Sequence, residues 1–526
     1  MRRSKYIIKQ SLNRLISLSR HILRFSRNNI GIVGLFILFA GTGSAIGIYR
    51  YMAYLDGFDF TVFYEAFYAY AHFQIPDSSV RGLNFFDGDH FHPILLTLVP
   101  FYFLFQSPYT LVILQATIVA SSVFPVYLFI KNKFHDQTIA LLGASAYSLS
   151  AGLQWMLFFD FHEILFAIPL IAWSIYFVEH RRWRWLLLVI ILLALTKDEL
   201  YIYIATMGLF LLVTRRNIKS GLLYLIGGVG GFLLLNKVVM PLLAGKRSYD
   251  YWSYTQYGAS LGDAIKNVTL SPIENIKKII GDLIAPDARL TLSLWFKPLF
   301  YIGAFISPYI LLAVPLMLAR FLSDQTTYSV FTFHYGATIA PIIFMAFIDS
   351  LDRITKLGRR LIPSIKPQGI KTFITMALVA SIAIALIISV KFTSPFIIMT
   401  NKPFKSIETT KLLKSEPAIH AIVGKKSVMA PDTIAAHFAN RNNVYTMRPI
   451  KQWDNPVDKI INPIPITEAD YIILNAYLQL PDLTETQTER QKVLTSYLEA
   501  IQARNFTIVH NDSDTGWIVL KNEQRH

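Results

Sequence analysis

The sequence predicts an α-helical polytopic membrane protein of about eleven transmembrane helices plus a surface helix, each span needing roughly 20 apolar residues. A C-terminal α/β domain follows. Three observations predict this. Hydrophobic residues make up 53% of the 526 positions and charged residues only 16%, where a soluble domain carries about 25% charge. Apolar runs recur across residues 30–391, separated by short basic or polar stretches. From residue 396 onward the runs shorten and strand-like segments alternate with helical ones, the pattern of an α/β unit.

The 50 Lys+Arg against 34 Asp+Glu give a net charge of +16. The basic excess flanks apolar runs, where it sets topology, so membrane lipid and not nucleic acid is the expected partner. The absence of cysteine excludes disulfides, thiolate-bound zinc, iron–sulfur clusters and thiol catalysis.

Residues 1–28 hold Arg2, Arg3, Lys5, Lys9, Arg14, Arg20, Arg24 and Arg27 with leucine and isoleucine between them and no acid. That is a basic amphipathic segment suited to the anionic cytoplasmic leaflet. The run 30–49 is long enough to be an uncleaved anchor. Further apolar runs cover 93–105, 109–130, 138–158, 164–178, 185–196, 200–213, 221–243, 299–318, 336–348 and 372–391. The clusters Lys131/Lys133, Arg181/Arg182/Arg184, Arg215/Arg216/Lys219 and the stretch 353–371 should all be cytoplasmic. They agree only if 93–105 does not cross. That run is short and holds Pro93 and Pro100, so 90–107 is expected as a re-entrant or surface helix on the outer face. Ser307-Pro308 interrupts 299–318, which is expected to split into two short helices with Arg320 at the outer end of the second.

This threading puts the N-terminus inside and the C-terminus outside. The transmembrane domain covers 29–395, with a first external loop at 51–108 and a large one at 244–297. An extracytoplasmic α/β domain occupies 396–526. Within it, 425–431 and 469–474 read as buried strands, 433–440 and 485–504 as helices, and 506–509 with 516–520 as a terminal strand pair. No glycine-rich phosphate loop is visible there, which argues against a nucleotide site. The polar stretches 51–92, 159–163, 197–199, 244–297 and 324–335 all emerge on one side. A transporter would bury charge near the midplane of repeated helices, and no internal repeat is apparent.

Several of these stretches carry groups suited to chemistry. Asp56 and Asp59 follow the first span among aromatic residues and precede Glu65; either aspartate could act as a base with a raised pKa, or both could cap the helix expected at 60–70. Asp87, Asp89, His90 and His92 fall within six residues, and with Asp160 and His162 could ligate a divalent cation or shape a site through hydrogen bonds. Asp160-Phe161-His162-Glu163 and Lys197-Asp198-Glu199 lie between spans. The short runs around 197–199 place that turn below the membrane surface as a mutually paired group. Lys246, Arg247, Tyr254 and neighbouring aromatics suit a phosphate headgroup beside a lipid or sugar, or an ordinary interfacial belt. His334-Tyr335 faces the same side.

Taken in order, Asp59-Phe60-Thr61-Val62-Phe63, Gly88-Asp89-His90-Phe91-His92-Pro93, Asp160-Phe161-His162-Glu163, Lys197-Asp198-Glu199 and His334-Tyr335 resemble a bacterial membrane-protein family, domain-of-unknown-function family 2079. The likeness covers roughly residues 50–480. That family is placed with the GT-C superfamily of membrane glycosyltransferases. The resemblance implies a GT-C-like fold in the cytoplasmic membrane, a polyprenyl-phosphate-linked sugar donor, an envelope acceptor (glycan, lipid or protein) and an active site at the outer face. It implies that Asp59 is the catalytic aspartate and that the Asp89–Pro93 segment starts the surface helix. The expected reaction is an inverting transfer with Asp59 as base and Asp89 and His90 also catalytic. Asp56, Glu65, His92, Asp160, His162, Glu163, Lys197, Asp198, Glu199, Lys246, Arg247, Tyr254, Arg320, His334 and Tyr335 would line the substrate, Lys197, Lys246, Arg247 and Arg320 among them facing the departing phosphate. The C-terminal domain would bind the acceptor or a partner. A lipid-linked-sugar carrier and an inactive envelope scaffold are the alternatives.

Overall fold

The computed structural model describes residues 29–80, 83–84, 90–243, 252–393, 406–441, 443–447, 466–478 and 487–525. The basic N-terminal segment expected at 1–28 lies outside them. Among the described residues, four helices are long and apolar enough to cross a membrane: Ile30–Met52, Pro108–Phe134, Ile218–Leu242 and Pro367–Phe392. Trp183–Ala194 and Leu200–Val213 are shorter apolar helices. Leu200–Val213 and Ile218–Leu234 pack backbone against backbone, because glycine removes the side chain at the contact. A Cβ on Gly208 would stand 2.2 Å from the Leu225 nitrogen, and one on Gly228 2.4 Å from that of Ala205. Small residues allow such approach where no hydrophobic effect drives helices together.

The basic clusters gather at one end of this helical body. Lys131 donates to Asn29 at 2.9 Å. Lys133 meets Glu179 and Asp349 at 2.7 Å each, Arg216 meets Glu179 at 2.9 Å, Arg353 meets Asp349 at 2.7 Å, and Lys371 meets Asp136 at 2.6 Å. The run expected as a surface helix is short and broken. It forms a 3₁₀ turn, Pro93–Thr97, and a short helix, Val99–Leu104. Tyr102 lies against Phe67 at 5.7 Å between ring centroids.

The expected pair of short helices at 299–318 is half correct. The second forms as Pro308–Leu312 and Val314–Phe321. The first does not: residues 300–306 are turns, because Phe300 and Tyr301 take φ of 55° and 57°, a left-handed conformation no right-handed helix can contain. The segment between helix Phe58–Ala71 and Pro93 carries a small hairpin, β1 (Asp77–Ser78) and β2 (Leu83–Asn84), that was not expected.

The C-terminal domain is a five-stranded sheet in the order β4-β3-β5-β7-β6. Its strands are β3 (Val428–Ala430), β4 (Val444–Thr446), β5 (Tyr471–Asn475), β6 (Phe506–Asn511) and β7 (Trp517–Asn522). β3 runs parallel to β4 and β5, while β7 is antiparallel to β5 and β6. The two-residue period of a strand separates two cores. Val428, Ala430, Ile473, Trp517 and Val519 face Ile419, Ile434 and Phe438. Met429, Ile472, Leu474, Ile518 and Leu520 face Tyr497 and Ile501. Helices Ser406–Val423 and Asp432–Phe438 thus cover one face and Gln487–Gln502 the other. The helix Ser406–Val423 and strand β4 were not foreseen. Tyr54 of the helical body belongs to the first of these cores, which docks the domain at the end opposite the basic clusters.

Candidate active site

That opposite end is assembled around the start of helix Phe58–Ala71. Arg50, in the last turn of the first long helix, is buried. Its Nη2 meets Asp160 at 2.8 Å and Asp56 at 3.4 Å and donates to the Leu55 carbonyl at 2.8 Å, while Nη1 donates to the Phe158 carbonyl. The other oxygen of Asp160 accepts from the amides of Gly57 at 3.0 Å and Phe60 at 3.3 Å. A carboxylate from a distant loop therefore satisfies the open amides of this helix. Neither Asp56 nor Asp59 caps it, contrary to that expectation: the N-cap position is Gly57. Asp160 is a structural anchor and does not face open space as a substrate ligand would. Burial pushes Asp56 up to about 7 against the pull of Arg50. Asp59 sits half-buried in the first helical turn, where the dipole favours a carboxylate.

A second layer packs beneath. Glu163, fully buried, meets His162 Nδ1 at 2.8 Å and Lys197 Nζ at 2.9 Å. Burial alone would raise its pKa, but His162 and Lys197 outweigh it and hold the carboxyl well below its usual range. Lys197-Asp198-Glu199 is buried at Lys197 and Asp198, as expected, but contrary to the expected mutual pairing Lys197 reaches back to Glu163, and Asp198 bonds His90 Nδ1 at 2.9 Å. His92 is close enough for its charge to bear on Glu163, and its ring lies 6.1 Å from that of Phe63. The backbone of His162 is fixed by Gln115 at 3.3 Å. His334 stacks on His162, centroids 4.1 Å apart and 28° between planes. It is buried, with neither ring nitrogen hydrogen-bonded among the described residues, and burial followed by the charges of His162 and Lys197 drives its pKa down.

Tyr335 joins these layers. Burial holds its phenol protonated, and the charges of Glu199 and Asp59 act the same way. On its other side, Arg320 lies 5.9 Å from the Tyr335 ring centroid and 4.7 Å from that of Trp295. Arg320 is only 5% exposed. It donates to the Val330 carbonyl at 2.8 Å, leaving Nε and Nη1 without a partner, and makes no ion pair among the described residues. Tyr254 donates to the Ala319 carbonyl at 2.7 Å and senses Glu199, so it borders the same region.

Three expected residues, Asp89, Lys246 and Arg247, lie outside the described residues. Glu65 is not part of the group: its carboxyl is taken by Ser79, at the contact with the C-terminal domain. The cation-ligand set is also divided, since His90 is engaged by Asp198 and Asp160 by Arg50. Among the described residues no three His, Asp or Glu side chains converge as metal ligands. Sequence reasoning missed Arg50, Gln115, Trp295 and Tyr328, the last packed against Tyr335 with ring centroids 4.4 Å apart and planes tilted by 58°. Arg50 had one visible signal: a lone charge in the last turn of an apolar run, just before a carboxylate-bearing loop.

Fold and site together define a membrane protein with an apolar helical body and a cluster of buried charged and histidine side chains at one end. The chain belongs to the family described as "Predicted membrane protein (DUF2079)", whose pattern matches residues 51–519. It is similar in fold to the crystal structure of ArnT from Cupriavidus metallidurans in the apo state, with a TM-score of 0.51 and 11% identity over 93% of this chain and 98% of that one. No curated protein matches the sequence.

Proposed function

We propose that the protein is an inverting glycosyltransferase of the GT-C type, moving a sugar from a polyprenyl-phosphate donor to an envelope acceptor at the outer face of the cytoplasmic membrane. The observation that carries this reading is the arrangement around Tyr335: a half-buried carboxylate, Asp59, and a buried guanidinium with no carboxylate partner among the described residues, Arg320, bear on the same side chain. Transfer needs both. Asp59 takes the proton from an acceptor hydroxyl, whose oxygen attacks the anomeric carbon; the bond from that carbon to the phosphate oxygen breaks, and the lipid phosphate leaves with the electron pair. Phosphate is a good leaving group, so the chief demand is positive charge placed where negative charge develops. Arg320 and the aromatic rings beneath it meet that demand, and Lys197, neutralised by Glu163, supports the layer below. His90, held by Asp198, orients the acceptor. The basic end of the body faces the cytoplasm, by the usual bias of lysine and arginine. That places about eleven spans between the ends, counted at roughly 20 residues each or fewer where two short segments pair, and the C-terminal domain outside, beside the site.

The test compares envelope glycans and glycolipids by mass spectrometry in a deletion strain carrying wild type or Asp59→Asn at matched protein levels. Loss of a general base lowers turnover by about 10²–10⁴, so Asp59→Asn should fail to restore a sugar-sized mass lost in the deletion, with lipid-phosphate sugar accumulating in the outward-facing pool. Accumulation in the inward-facing pool would instead favour a carrier. Full restoration by Asp59→Asn would overturn the assignment.

A further inference from the structure

The C-terminal domain meets the helical body through two polar joints, and at the first, which reaches the helix that carries Asp59, the donor count favours a held proton. At the first, Ser79 Oγ accepts from the Val444 amide at 2.8 Å and faces the Val444 carbonyl at 2.7 Å. It also contacts Glu65 Oε1, while the Ser79 amide donates to Glu65 Oε2 at 3.0 Å. A carbonyl only accepts, and a hydroxyl has one hydrogen. With Glu65 ionised, two acceptors compete for that hydrogen inside a buried contact. With Glu65 protonated, it donates to Ser79 Oγ, Ser79 donates to the Val444 carbonyl, and every partner is satisfied. Val444 lies on β4, an edge strand of the sheet, so this hydroxyl stands where a further strand would.

The second joint is His437, from helix Asp432–Phe438. Its ring is stacked between Tyr51 (centroids 4.2 Å apart, 16° between planes) and Tyr54 (3.8 Å, 14°) of the body. Nε2 lies 2.9 Å from the Tyr51 carbonyl and must donate to it; Nδ1 lies 2.9 Å from Glu416 Oε2. Tyr54 also donates to that oxygen at 2.5 Å. Arg441 Nη2 donates to His420 Nδ1 at 3.2 Å, which leaves His420 Nε2 to donate to Glu416 Oε1 at 3.3 Å. His437 thus bridges the Tyr51 carbonyl and Glu416 through its two ring nitrogens.

We infer that a proton held at the Glu65 joint latches the C-terminal domain onto the helix bearing Asp59, and that the domain is released as the pH of its compartment rises. Burial pushes Glu65 up to about 8, against the amides of Ser79, Val444 and Val80. A carboxyl raised on docking stabilises the docked state fully below its free pKa and loses that contribution as pH climbs through the docked value. Tyr445 is the other titratable side chain that Glu65 influences. On the remaining elements against this helix, Tyr102 packs on Tyr64 and Phe67, Asp77 opens β1, and Asp432 opens the helix that carries His437. Around Glu416, Tyr51, Tyr64 and Tyr109 complete the set.

The inference stands apart from the transfer reaction, because its readout is a distance. The chain has no cysteine, so exposed Gln74 and Gln502 can be changed to cysteine and spin-labelled in the full-length protein in nanodiscs. Between about pH 6 and pH 9 the interlabel distribution should pass from one narrow peak to a broad one. Glu65→Gln carries a permanent donor toward Ser79 and should move that transition upward or abolish it. An unchanged narrow peak across the range, or a Glu65→Gln curve that follows wild type, would each overturn the latch.

Discussion

The two ends of the helical body carry comparable densities of charge and use them differently. At the basic end, Lys133 is shared by Glu179 and Asp349; Glu179 also takes Arg216 and the Tyr309 hydroxyl, the latter at 2.5 Å; Asp349 takes Arg353 and the Ser307 hydroxyl, the latter at 2.7 Å. Each charge in that network has an opposite charge. At the other end Arg320 has none among the described residues, and the His334 ring is buried without a hydrogen bond. A saturated network holds helices together and has nothing left to offer a ligand. An unsaturated one costs folding energy, and that cost is recovered when an anion or a hydroxyl fills the gap. Unmet valence, more than the number of charged residues, separates a site from a clamp.

The difference between the ends is most exposed to test at Lys133. Lys133→Met leaves Asp349 and Glu179 facing each other across a buried space where a shared cation stood. Removing one partner of a buried pair costs about 3–5 kcal/mol, and the remaining Arg216 and Arg353 contacts place this variant near the lower bound. Thermal unfolding in detergent should show a fall in melting point larger than any produced by Arg320→Met or Asp56→Asn. A melting point equal to wild type would dissolve the distinction between the two ends. Arg320→Met should go the other way. It deletes a buried guanidinium with two unpaired donor nitrogens, and an unsatisfied buried polar group costs about 1–3 kcal/mol. The melting point should hold or rise while the envelope product is lost. A destabilised Arg320→Met would mean that Arg320 is bound structurally after all.

Much of this contrast was legible in the sequence, for reasons that differ by level. Side assignment rested on composition: lysine and arginine cluster where spans end, and the contacts of Lys131, Lys133, Arg216, Arg353 and Lys371 gather those residues at one end. The surface helix followed from Pro93, Pro100 and a run too short to cross. The carboxylates and histidines were recognisable as a group because so apolar a chain has few other places for them. Pairing was not legible. Lys197 chose Glu163, 34 positions away by residue number, over its own neighbours Asp198 and Glu199, because in a buried turn the geometry of three approaching segments decides which charge is reachable. Asp160 capping a helix 100 residues earlier in the chain is the same kind of event. Phe300 and Tyr301 carry no left-handed signature either, so the turns that replace the first expected short helix could not be read from residue type.

The smallest effect concerns Asp56, and it tests whether the unsaturated end pays its cost in pH dependence as well as in unpaired donors. Arg50 is shared between two carboxylates, at 2.8 Å from Asp160 and 3.4 Å from Asp56, so Asp56 receives the weaker half. Burial raises it from 3.8 to about 7. Its folded pKa therefore lies above its unfolded one, and its contribution to stability is complete below the unfolded value and lost as pH rises through about 7. Asp56→Asn removes that ionisation while keeping a polar group against Arg50. Unfolding of the variant should be less sensitive to pH between about 4 and 7, and its stability above that window should exceed wild type by a small margin, read as a shift in melting point. If wild type and variant keep parallel pH curves, Asp56 is charged and satisfied by Arg50 throughout, and the unsaturated region contracts to the groups around Tyr335.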